Sequence, residues 1–110
     1  LLSPEEFLKV DMRVGRILEA DEFPEARKPA YKLKLDFGAE LGKKQSSAQL
    51  TTTYRKEELP GKLVVAVVNF PPKQIGPFVS EVLVLGVVLE GGQVPLLTVD
   101  RDVPLGYRVL

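Results

Sequence analysis

Tyr31, Leu33, Leu35 and Phe37 alternate with Lys32, Lys34 and Asp36, the period-two pattern of a strand with one buried face and one wet, mostly cationic face. Asp11 to Asp21 predicts a first strand whose apolar positions, Val14, Ile17, Leu18 and Ala20, fall out of strict alternation, with a bulge expected at Gly15. Lys43 to Leu50 predicts a third strand of small polar residues. Lys62 to Asn69 and Val82 to Leu89 are too continuously apolar for half-exposed strands, so both are expected at the centre of a sheet. Glu90-Gly91-Gly92-Gln93 predicts a hairpin turn into Val94 to Val99.

Helical signals are few. Ser3-Pro4-Glu5-Glu6 combines an N-cap serine, a proline at the first helical position and a glutamate three residues after the cap. A short helix should follow to about Lys9. Thr51, Thr52 and Thr53 offer N-caps for one or two turns through Leu59, stopped by Pro60-Gly61. Gly38 to Gly42 reads as a turn. The element order predicts an all-β, five-stranded OB fold: a Greek-key barrel with a short helix between strands 3 and 4 and a short N-terminal helix. Residues 1 to 110 form one domain, a length that leaves no room for a second core.

The stretch from Asn69 to Leu83 concentrates Pro71, Pro72 and Pro77 with Phe70, Phe78 and several polar residues between two aliphatic runs. Proline fixes φ and deletes a donor, so the stretch predicts a stiff, unpaired loop. Rigid loops on barrels are common binding sites.

Composition narrows the chemistry. There is no cysteine and no histidine, which removes disulfides, thiolate metal sites, the commonest general base and the usual nucleophile-activating triads. No Gly-rich loop followed by Lys-Ser or Lys-Thr is present. Asp100 and Asp102 lack a third ligand and read as turn caps. The chain is therefore expected to be a binding protein rather than an enzyme, without cofactor or metal.

Charge is neutral overall, with 15 basic and 15 acidic residues, but unevenly spread. Residues 1–26 carry a net −4, residues 27–73 a net +6 and residues 74–110 a net −2. The basic centre permits a modest nucleic-acid surface. Leu1 to Val10 lacks the build of a signal peptide, and no apolar run reaches membrane-spanning length. A cytoplasmic protein is expected, with residues upstream of Leu1.

Asp11-Met12-Arg13-Val14-Gly15-Arg16-Ile17, Gln45-Ser46-Ser47-Ala48-Gln49, the Asn69-Phe70-Pro71-Pro72-Lys73 corner and Ser80-Glu81-Val82-Leu83 stand in an order and spacing that resembles the tRNA-binding domain family. That family occurs as an appendage of methionyl- and phenylalanyl-tRNA synthetases and as free-standing proteins. Within it the chain most resembles the CsaA branch, small homodimers described as secretion-related chaperones. The tRNA-binding branch usually has Ser-Gly-Leu where this chain has Ser47-Ala48-Gln49, Asn-Leu-Lys-Pro where it has Asn69-Phe70-Pro71-Pro72, and Ser-Glu-Gly-Met where it has Ser80-Glu81-Val82-Leu83.

The resemblance implies an ATP-independent chaperone for unfolded or export-bound precursor polypeptides, with tRNA and the protein-export machinery as further partners. Residues expected to touch polypeptide are Asn69, Phe70, Phe78, Val79, Ser47, Gln49 and Ser80. The alternative is a structure-reading tRNA-binding module. RNA contacts are expected from Lys32, Lys34, Lys43, Lys44, Ser46, Lys73 and Ser80. The resemblance also implies a two-fold contact through Phe7, Leu8, Leu105, Tyr107, Val109 and Leu110. An apolar tail and a marginal apolar helix at opposite ends need cover, which agrees. A monomer with both ends packed on its own barrel is the alternative.

Overall fold

The computed structural model describes residues 1–110. Its spine is β1 (Met12–Glu22), long enough to serve two halves of a barrel. One side of its first half pairs antiparallel with β4 (Leu63–Val67), and its second half pairs with β2 (Tyr31–Asp36). β3 (Lys43–Ala48) follows on β2, and β7 (Leu83–Val84) on β4, giving the five-strand path β3-β2-β1-β4-β7. The C-terminal β8 (Arg108–Val109) adds to the start of β1, where Met12 lies opposite Val109. β5 (Lys73–Ile75) and β6 (Phe78–Ser80) form a separate hairpin. This is an OB-fold barrel, nearly closed, with few short helices.

The alternation in β2 holds: Tyr31, Leu33 and Leu35 are buried while the residues between them are not. They meet Ile17, Phe37, Leu59, Val64 and Ala66 in the core. α1 (Pro4–Phe7) carries the expected cap, with the Glu6 N–H donating to Ser3 Oγ at 3.2 Å and the Ser3 N–H to Glu6 Oε1 at 3.1 Å. β4 is flanked by β1 and β7, the interior position the sequence predicted, and Val64 to Val67 are buried.

Several local expectations give way to tertiary structure. The irregularity of β1 sits between Ile17 and Glu19, not at Gly15. Gly15 answers a packing need instead, because a Cβ there would stand 2.6 Å from Phe37 Cε1. Gly38–Leu41 winds into one turn of helix, α2, rather than a plain turn. Between β3 and β4 only a 3-10 turn at Lys56–Glu58 forms, capped not by a threonine but by the Arg55 N–H donating to Glu58 Oε1 at 2.8 Å.

The run Val82 to Leu89 does not stay central. After β7 it turns away at Gly86, where a Cβ would meet Val94 Cγ1 at 2.5 Å. Residues 85–89 then pair with 93–97: Val87 N–H donates to Pro95 O at 2.8 Å and Leu89 N–H to Gln93 O at 2.9 Å. The hairpin turn at 90–93 is as expected, but Val87, Val88 and Leu89 end up exposed.

Candidate binding interface

The proline-rich stretch is not one stiff loop. Asn69 to Pro72 is an exposed corner, and the hairpin β5–β6 rises from it through Gly76-Pro77, with Gly76 at φ 56°. The prolines allow pairing because none occupies a strand position: two precede β5 and one sits in the turn.

Side chains, more than a continuous ladder, join this hairpin to β3. Glu81 N–H donates to Gln45 O at 2.8 Å, and Gln45 N–H to Glu81 Oε1 at 3.1 Å. Gln45 Nε2 donates to Val79 O at 2.9 Å, and Ser47 N–H to Ser80 Oγ at 3.0 Å. Ser46, 0% exposed, donates its hydroxyl to Val82 O at 2.7 Å. Ser46 was expected on an RNA surface and cannot reach one; it is the buried polar seam of the barrel. Ser80 was expected at both interfaces, but its hydroxyl oxygen already accepts a backbone donor.

Asn69 is likewise committed elsewhere. Its Oδ1 accepts the Asp11 N–H at 3.0 Å and its Nδ2 donates to Lys9 O at 2.7 Å. The amide staples the segment after α1 to the end of β4, so it corrects the expectation of a free recognition amide. Nearby, Arg13 grips Asp11 through Nε at 2.6 Å, and that hydrogen bond holds the guanidinium above its ordinary pKa. Arg108 reaches Leu8 O at 2.5 Å.

What remains open divides around the hairpin. On one side Phe70, Pro71, Val82 and Leu83, with Lys73 and Glu81 at the rim, line a depression of about 260 Å³. Phe70 is 51% exposed and forms its apolar lip. On the other side a groove of about 590 Å³ runs between Lys73–Gly76 and the loop Glu25–Lys28, with Ser47 and Gln49 also lining it. Phe78 does not face out freely; its ring packs on Phe23 with centroids 5.2 Å apart. Val79, also expected at the peptide surface, is half-buried in β6.

The lysines part company. Lys73 lines both hollows. Lys34, Lys43 and Lys44 gather around a smaller depression with Gln45 and Glu81. Lys34 pairs with Glu19 at 3.4 Å, and Lys32 lies across from Asp21 with its ammonium over the Phe23 ring. The outer face of β1–β2 is therefore balanced in charge. Arg27 and Lys28, in the loop before β2, stand with Lys73 in the larger groove. A basic dipeptide next to the clearest strand was the available signal.

The residues expected at a two-fold contact lie near the start of β1. Phe7, Leu8, Tyr107 and Leu110 are exposed, while Leu105 and Val109 are half-buried. Leu105 packs against Gly38 and Val109 against β1.

These features define a small binding domain with an OB-fold barrel, and residues 12–108 match the tRNA binding domain family. The chain belongs to that family. Among solved structures, the CsaA chaperone of Bacillus anthracis str. Ames is 52% identical, with 100% of this chain and 99% of that one covered and a TM-score of 0.94. The CsaA chaperone protein of Picrophilus torridus is 53% identical, with both chains covered fully and a TM-score of 0.92. The methionine–tRNA ligase of Methanocaldococcus jannaschii is 37% identical over 92% of this chain. This chain spans only 15% of that ligase's length. No helix is long and apolar enough to cross a membrane.

Proposed function

We propose that this chain is an ATP-independent chaperone of the CsaA type that holds unfolded or export-bound polypeptides in the cytoplasm. The observation that carries the reading is the full-length likeness to two CsaA chaperones, at 52% and 53% identity. The geometry supports it: an exposed apolar depression at Phe70, Pro71, Val82 and Leu83 suits a side chain of an unfolded client. The contacts are few, so affinity is weak for one copy. A homodimer through the α1 and β8 surfaces presents two such sites and raises avidity through effective concentration. No catalytic step is assigned to it. A component of the export machinery is the natural recipient of a client held this way.

A second reading has its own support. The family match and the cations Arg27, Lys28 and Lys73 favour tRNA as a further ligand. Salt separates the two. Titration of an unfolded precursor and of a labelled tRNA at 50 and 200 mM salt, concentrations chosen for the usual phosphate-contact range, should show polypeptide binding that holds or strengthens. Tight tRNA binding at the higher salt, with none to the polypeptide, would reverse the order of the two readings.

A further inference from the structure

The β5–β6 hairpin has one edge against the barrel and one with no strand paired to it. Ile75 and Phe78 close its two-residue loop, and Gln74 lies opposite Val79. Alternate pairs of an antiparallel ladder exchange two hydrogen bonds, and the pair that closes a two-residue loop does so. The next pair points its N–H and C=O groups outward. On the β6 side this is seen directly, since Val79 O receives Gln45 Nε2. On the β5 side the N–H and C=O of Gln74 meet no hydrogen-bonding partner outside the hairpin.

That edge borders the larger groove. Lys73, Gln74, Ile75 and Gly76 all line it, and no residue of β6 does. Across the groove stand Arg27 and Lys28. Neither they nor Lys73 joins an ion pair, and Glu25 is the one acid among the lining residues.

From this we infer that the groove takes an extended polypeptide segment as a short added strand on β5, with carboxylate side chains of the segment meeting Arg27, Lys28 and Lys73. The inference deepens the polypeptide-binding reading and rests on it. A strand offers both a donor and an acceptor to Gln74 from one residue, whereas RNA phosphates offer acceptors alone and leave donation to the 2′-hydroxyls and bases. Main-chain recognition is indifferent to sequence, which suits varied clients, and the three cations add a salt-screened preference for acidic segments on top of the main-chain and apolar contacts. Pro72, just before β5, supplies no N–H. The added strand is therefore short.

The test uses an unstructured decapeptide alternating glutamate with valine, and two isomers N-methylated on alternate amides, one set each. Strand addition predicts that one set lowers affinity at least tenfold while the other leaves it within twofold, because only one edge of the added strand faces β5. Lys73→Glu should weaken the unmethylated peptide severalfold in the same assay. Equal effects of both methylated sets, with the parent peptide bound, would overturn strand addition and leave polypeptide binding standing. If the peptide fails to bind while a single-stranded oligouridylate binds in a manner that Lys73→Glu removes, the inference falls and the groove belongs to RNA; the polypeptide reading falls with it only if an unfolded precursor also fails to bind.

Discussion

The backbone N–H of Asp11 donates to Oδ1 of Asn69 across 3.0 Å, joining residues 58 positions apart in the chain. With the second bond from Asn69 Nδ2 to Lys9 O, this one side chain fixes the lead-in to β1 against the end of β4. Asn69→Ala removes both bonds at an exposed site and should lower stability by about 1 kcal/mol. Urea unfolding reads the loss, and hydrogen exchange should show faster exchange in residues 4–11. Affinity for an unfolded client should stay unchanged. A large fall in affinity with little change in exchange would return Asn69 to the recognition surface.

Ser46 makes the complementary case. Its buried hydroxyl donates to Val82 O and seals β3 against the strand end. Ser46→Ala leaves a buried carbonyl short of a partner, so stability should drop by about 1–3 kcal/mol. The salt slope of any tRNA binding should not move. A changed slope at unchanged stability would show that Ser46 reaches RNA after all.

Gly15→Ala should be unexpectedly harmful for so small a change. The added methyl meets the Phe37 ring, and overpacking of this kind costs about 1–3 kcal/mol. Phe37→Leu, mildly destabilising alone, should offset part of the cost in the double variant. Independent, additive losses in chemical denaturation would refute the direct clash.

Glu58 supplies a pH signature. The Arg55 N–H donating to its carboxylate holds its pKa below the ordinary value, with the nearby Arg55 and Lys62 charges helping. A carboxylate depressed in the folded state contributes stability that is complete above the unfolded pKa and is lost as pH falls through the folded one. Stability should therefore decline on acidification through and below the normal glutamate range, and Glu58→Gln should flatten that decline slightly. Identical acid limbs for both proteins in thermal melts would argue against the cap.

Phe70→Ser tests the apolar depression. Half of that ring is in solvent, so folding should be little affected, while affinity for an unfolded client should fall severalfold. Unaltered client binding would move the site elsewhere.

Much of the barrel was legible because β2 alternates cleanly and β4 is continuously apolar, both direct records of which faces are buried. The seam was not. Nothing in Gln45-Ser46-Ser47 distinguishes a serine that closes a barrel from one that greets a ligand, since both need a small hydroxyl among polar neighbours. Gly15 and Gly86 were opaque for a related reason: each is set by a ring or side chain distant in sequence, Phe37 in one case and Val94 in the other. The proline-rich stretch misled because proline forbids ladder bonds only where it stands, and here it stands beside the strands. Of the residues that line the two hollows, Phe70, Lys73, Ser47 and Gln49 are among those the sequence singles out, while Arg27 and Lys28 became visible only once the loop they occupy was seen opposite β5.

β1 is made early and completed late. Its neighbours include β4, some fifty residues further along, and β8, whose Val109 meets Met12 near the other end of the chain. During vectorial synthesis the second half of β1 can form a hairpin with β2 at once, but its first half waits with unpaired edges until almost all of the domain has emerged. A protein proposed to shelter other unfinished chains thus passes through a stage in which its own founding strand is unfinished.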